Sequence, residues 1–105
     1  MERSTSQTQA VLVAFLSDPT NERYGLEIVK ETGLASGTVY PILARLEQRG
    51  WVESRWEDID PAAEGRRPRR YYRLTGEGQQ AASETLRRTY DRLAPVLAPK
   101  LSFEA

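Results

Sequence analysis

Val39, Ile42, Leu43 and Leu46 recur at i, i+3, i+4 and i+7, the spacing that gathers apolar side chains on one face of a helix. At about 100° per residue the opposite face is centred on Gly37, Pro41, Ala44 and Gln48, with Thr38 and Arg45 on one flank and Tyr40 on the other. The centre of that face is small and its flanks are polar. This shape suits a major groove about 12 Å wide, where short central side chains let the backbone approach and flanking groups reach base edges or phosphates. The same stripe also suits an ordinary core-packing helix with a solvated outer face. Ser36 is expected to cap the N-terminus, where free N–H groups suit a phosphate. Pro41 removes a hydrogen bond, so either the helix starts nearer Thr38 or its first turn is distorted.

Upstream, Val11, Leu12, Phe15 and Leu16 predict a first helix over about Thr5 to Ser17, ended by Asp18-Pro19-Thr20-Asn21. A second short helix is expected from about Tyr24 to Thr32, burying Leu26 and Val29, with Gly33 supplying a left-handed stop. After Gly50, Trp51 to Glu57 alternates as a strand does, and a second strand is expected at about Arg69 to Leu74. Between them Asp58 to Pro68 has no apolar periodicity and is expected to be a mobile loop, the tip of a wing. From Thr75-Gly76-Glu77-Gly78 a last helix carries Ala82, Leu86, Tyr90, Leu93 and Leu97 at steps of four, four, three and four, close to a heptad seam. A small domain has little room for a second long stripe, so this helix is expected to pack on a partner chain in a symmetric dimer. The alternative is that it folds back on the first helix. Pro95 is expected to bend or end it near Leu93 to Ala94.

With 105 residues and 39% apolar content, the chain suits one small domain with a single core. The expected architecture is mainly α with a small β-hairpin: a winged helix-turn-helix over residues 1–75 and one C-terminal dimerisation helix over 76–105, forming one compact unit. There is no cysteine and no histidine. This removes disulfides, thiolate chemistry, histidine general bases and the usual zinc ligands. Neither a metal, a cofactor nor an enzymatic activity is expected. The longest apolar stretch, Val11 to Leu16, is too short to span a bilayer, so a cytoplasmic protein without a membrane partner is expected.

The formal net charge is zero, but its distribution is uneven. Arg66, Arg67, Arg69, Arg70 and Arg73 cluster just after Glu57, Asp58, Asp60 and Glu64, giving the hairpin an acidic and a basic arm. Of the 15 basic residues all but Lys30 and Lys100 are arginine, the side chain best suited to bidentate phosphate or guanine contacts. A self-neutralising solvated loop is the competing reading of this cluster.

The strings Tyr24-Gly-Leu-Glu-Ile28, Ser36-Gly-Thr-Val-Tyr-Pro41, Arg45-Leu-Glu47, Gly50-Trp-Val-Glu-Ser-Arg-Trp56 and Gly65-Arg-Arg-Pro-Arg-Arg-Tyr-Tyr-Arg-Leu-Thr75 resemble the PadR family of bacterial winged-helix transcriptional regulators, and do so across most of the chain. With one C-terminal helix, the chain is most similar to the short subgroup, which includes multidrug-responsive repressors. The resemblance implies a homodimeric repressor relieved by a small molecule. It places DNA contacts on Ser36, Thr38 and Tyr40 and on Arg66, Arg67 and Arg69. The helix geometry adds Arg45, and the wing's arginine cluster adds Arg70. The expected partners are thus double-stranded DNA at a pseudo-palindromic operator, a second copy of the chain, and a small apolar or aromatic effector. Leu86, Tyr90, Leu93 and Leu97 are the dimer or effector candidates. A function of another class, a winged-helix protein-interaction module without specific DNA binding, also fits the zero net charge.

Overall fold

The computed structural model describes the backbone of residues 5–101 and the side chains of residues 5–96. Helix α1 spans Ser6–Leu16, with the Thr5 hydroxyl accepting from the Thr8 N–H at 3.1 Å as its N-cap. A two-residue strand β1, Arg23–Tyr24, leads into α2, Gly25–Thr32, and after a short turn into α3, Ser36–Gln48. Strand β2, Val52–Trp56, a four-residue helix α4, Pro61–Glu64, strand β3, Arg70–Leu74, and the long α5, Gly76–Leu101, complete the described elements. The strands form an antiparallel sheet in the order β1-β3-β2.

The α3 stripe is buried as its spacing demands: Val39, Ile42, Leu43 and Leu46 join Val11, Leu12 and Phe15 of α1, Ile28, Val52, Tyr72, Leu74 and Ala82 in one core. Gly33 adopts φ 72° and stops α2 as expected. Thr32 reinforces that stop, donating to the Ile28 carbonyl at 2.7 Å and accepting from the Leu34 N–H at 3.2 Å.

Several expectations are corrected. Leu26 is exposed, and Ile28 is fully buried in its place. The inward stripe of α2 is Gly25, Ile28 and Val29, because Gly25 faces the Tyr40 ring so closely that a Cβ there would overlap it. Tyr24 belongs to β1 rather than to the helix, so the hairpin gains a third strand. Arg23, buried beside it, binds Glu31 of α2 and donates to Ser17 Oγ at 3.1 Å, tying α1, β1 and α2 together. The wing loop is built rather than featureless. Asp60 caps α4 by accepting from the Ala62 N–H at 3.1 Å, Pro61 occupies the first turn, and Gly65 closes it at φ 69°.

Ala35, not Ser36, is the N-cap of α3, and its carbonyl accepts from both the Thr38 and Val39 N–H groups at 2.9 and 3.0 Å. This tightened first turn lets the helix begin at Ser36 and run through Pro41. Helix α5 likewise continues through Pro95 to Leu101. The proline costs the hydrogen bond to the Asp91 carbonyl, but Asp91 is exposed, so water can satisfy that acceptor.

The start of α5 is fixed against the sheet. Thr75 Oγ1 donates to the Gly50 carbonyl at 2.7 Å and accepts from the Gly78 N–H at 2.9 Å, while the Thr75 N–H donates to the Trp51 carbonyl at 3.0 Å. Gly78 lies so close to Trp51 that a Cβ would overlap the Trp51 backbone.

Candidate nucleic-acid interface

The face of α3 opposite the buried stripe is open. Ser36, Gly37, Tyr40, Pro41, Ala44, Arg45 and Gln48 are exposed and Thr38 is half-buried. Ser36 is the first helical residue and is exposed rather than serving as the cap. Tyr40 rests its ring on Gly25 while remaining 41% exposed, so the α2–α3 pairing fixes its position. Arg45 extends from this face with no side-chain partner among the described residues.

Strand register then decides which wing residues share that side. Val52, Ser54 and Trp56 face Leu74, Tyr72 and Arg70 across the β2–β3 pair, and with Val52, Tyr72 and Leu74 buried this is the face turned to the core and α3. Glu53, Arg55, Tyr71 and Arg73 lie on the opposite face. There, ion pairs neutralise Arg55 and Arg73, and cation–π stacking positions Arg55 and Arg69. Arg55 is bidentate on Glu22 at 2.7 and 2.8 Å and lies 5.2 Å from the Tyr71 ring centre. Arg73 meets Glu53 at 2.6 Å, and Arg69 stacks on Tyr24 at 4.7 Å.

Glu57 holds the wing together. Its carboxylate accepts from Arg66 at 2.7 and 3.0 Å, from the Arg69 N–H at 3.2 Å and from the Tyr71 hydroxyl at 3.5 Å. The hydrogen-bonded Arg66 guanidinium first, and the Arg69 N–H second, lower its pKa from 4.5 to about 2. The same contact raises the pKa of Arg66. Because the carboxyl's pKa is lowered in the folded wing, the latch is intact above pH 4.5, weakens as the pH falls below it and is lost as the pH passes about 2. A carboxyl-carbon NMR titration of Glu57 is expected to show a midpoint near 2; a midpoint near 4.5 would mean that the latch is open in solution.

The expected DNA contacts in the wing therefore separate. Arg66 is engaged by Glu57 and Arg69 by Tyr24. Arg67 is exposed at the tip and has no side-chain partner among the described residues. Arg70 stacks on Trp56 at 5.1 Å, with Glu47 of α3 at 3.7 Å. Sequence reasoning missed Glu57 as a latch and Trp56 as a platform. The parity of Trp56 and Arg70 along antiparallel strands was the available signal, but it needs the register to be known.

On α5, Ala82 is buried and Leu86 packs partly against the core, so this half of the stripe folds back on the domain, where Gln9 of α1 also donates to Thr89 at 3.0 Å. Tyr90, Leu93 and Val96 are exposed by 63%, 41% and 63% and share one face at steps of three. The Leu97 side chain lies outside the described residues. A shallow depression along α5 is lined by Gly76, Gln79, Gln80, Ser83, Glu84 and Arg87, and so includes none of the apolar effector candidates.

Comparison with known proteins settles the family. A sequence profile of the transcriptional regulator PadR-like family matches residues 12–84. The chain belongs to the PadR-like family of transcriptional regulators. That span runs from α1 through α3 and the wing into α5. The fold is similar to that of the PcaV transcriptional regulator from Streptomyces coelicolor, with TM-score 0.72, 26% identity and coverage of 92% of this chain and 65% of that one. This chain thus spans just under two thirds of the length of PcaV. A second PcaV structure, in complex with its natural ligand, is similar at TM-score 0.71 and 28% identity, covering 93% of this chain and 64% of that one. A PadR family transcription regulator from hypervirulent Clostridium difficile is similar over its whole length, with TM-score 0.66, 25% identity and 92% of this chain covered. No curated protein matches the chain in sequence. Family and fold are those of transcriptional regulators rather than enzymes. Among the described residues no helix is long and apolar enough to cross a membrane.

Proposed function

We propose that this PadR-like chain is a homodimeric, sequence-specific repressor acting in the cytoplasm on a pseudo-palindromic operator, and that a small apolar or aromatic effector relieves it. The observation that carries the reading is the α3 outer face: small at its centre, exposed along its length and flanked by Thr38, Tyr40 and Arg45. Two such helices would enter successive major grooves about one helical turn apart, with residues 1–75 as the reader and 76–105 joining the copies. Ser36, Thr38, Tyr40 and Arg45 would address base edges and the adjacent phosphates. Arg67 and Arg70 would supply salt-sensitive backbone affinity. Arg66, paired with Glu57, would shape the wing more than it touches the duplex, whereas Arg69, stacked on Tyr24, would keep its charge for a phosphate as Arg70 does.

Exposure of Tyr90, Leu93 and Val96 on one face of α5 supports the dimer. An effector bound beside these residues would act only through its different affinities for two dimer arrangements, one of which sets the recognition helices in register. The solved complex of PcaV with its natural ligand supports a ligand-responsive regulator.

Arg67→Ala is expected to weaken binding to all duplexes and to lower the slope of log affinity against log salt by about one. Thr38→Ala is expected to narrow the gap between operator and scrambled duplex with that slope kept. Anisotropy titrations across salt concentrations check both; an unchanged slope for Arg67→Ala would remove the wing tip from the interface.

A further inference from the structure

The corner between α3 and the wing holds an arrangement that the recognition helix alone does not explain. Trp56 is 61% exposed at the end of β2, on the α3 side of the sheet, and its ring carries the Arg70 guanidinium at 5.1 Å from its centre. Strand pairing sets the two residues directly opposite each other. Across the corner stands Glu47 of α3, which accepts from Ser54 Oγ at 2.5 Å and lies 3.7 Å from Arg70. Glu47, Ala44 and Tyr40 occupy the same flank of α3 at steps of three and four.

Arg70 differs from Arg55, Arg66 and Arg73 in how it is held and resembles Arg69, which stacks on Tyr24. Arg55 and Arg66 are each bidentate on a carboxylate and Arg73 contacts one at 2.6 Å, whereas the ion pair of Arg70 is long and its stacking on an indole keeps the positive charge. An exposed indole beside a guanidinium that meets the Tyr72 hydroxyl and only a distant carboxylate matches a strand that alternates apolar sugar with anionic phosphate.

We propose that Trp56 and Arg70 form a contact for the backbone of duplex DNA in this corner, Arg70 meeting a phosphate and the Trp56 ring packing on the adjoining deoxyribose. The proposal rests on the DNA-binding reading above and adds a residue to it. Trp56 orients Arg70 and excludes water from the phosphate contact, which strengthens a charge-assisted hydrogen bond. The contact touches no base, so it contributes affinity without sequence preference.

The test uses the full chain and a roughly 24-base-pair mixed-sequence duplex at low salt. Trp56→Ala is expected to weaken binding about tenfold, and Trp56→Phe to recover most of the loss by restoring an aromatic platform. The melting temperature and the mass from light scattering are expected to stay at their parent values. In a Trp51→Phe background, Trp56 emission is expected to change over the same concentration range as the anisotropy. Unchanged affinity of Trp56→Ala, or indifferent Trp56 emission, while the parent protein binds would overturn the contact and leave the regulator reading intact. A Trp56→Ala protein of altered mass would assign the indole to an interface between copies and likewise overturn it. Absence of duplex binding by the parent protein would overturn both readings.

Discussion

Replacing Gly78 with alanine is expected to lower the melting temperature by roughly 10–20 °C, from a cost of about 2–3 kcal/mol at a slope of about 4–8 °C per kcal/mol. Gly78 sits in the first turn of α5, where its backbone lies against that of Trp51 and a Cβ would overlap the Trp51 carbonyl. Neither side can move freely: Thr75 bonds to the Gly50 and Trp51 carbonyls and receives the Gly78 N–H, and Ala82, one turn on, is fully buried. Relief of the overlap requires α5 to lift off the sheet. The helix propensity gained by alanine, about 1 kcal/mol, offsets only part of that cost. Gly76→Ala provides the control, because a Cβ there meets nothing within 4 Å. Thermal unfolding followed by circular dichroism checks the pair. Equal melting temperatures for the two variants would show that α5 is not anchored at Trp51.

The second large effect is expected at the far end of the same helix. Leu93→Glu should convert the proposed dimer to a monomer and weaken operator binding about 100-fold or more, because two half-sites bound together gain an effective concentration that separate copies lack. Leu93 is 41% exposed between Tyr90 and Val96, so a carboxylate there is solvated in the monomer and would be buried only in a dimer, at high cost. Folding should be unchanged. Light scattering and sedimentation report the mass, and anisotropy reports the affinity. A Leu93→Glu protein that remains dimeric would move the partner surface away from this face of α5.

The α3 stripe and the Gly33 stop are local consequences of side-chain spacing and glycine's conformational freedom, so both could be derived from a few adjacent residues. Leu26 misled because the phase of α2 is set by the close approach of Gly25 to Tyr40, a tertiary contact that hydrophobicity does not encode. Strand β1 is too short to show alternation and exists through pairing with β3. Helix α4 is capped by Asp60, begins at Pro61 and stops at Gly65, a capping pattern that was present but sat within a run of charges.

The candidate site divides in the same way. Helical geometry predicted the outer face of α3 from its own sequence. The wing arginines formed a single cluster along the chain, and only register and long-range pairing separate them. Glu57 binds Arg66 nine residues away, Arg69 crosses to Tyr24, and Arg70 turns to Trp56 on the α3 side. Charge counting recognised the acidic and basic arms without revealing which arginines they neutralise.

The most direct test of the regulator account is fluorescence anisotropy of the purified protein with a labelled duplex from upstream of its own gene, beside a scrambled duplex, at low and at physiological salt. The account predicts tight binding to the upstream duplex that persists at physiological salt while binding to the scrambled duplex falls away. Equal binding to both, erased by salt, would contradict sequence-specific repression at that site, and no binding even at low salt would favour a winged helix that docks on protein.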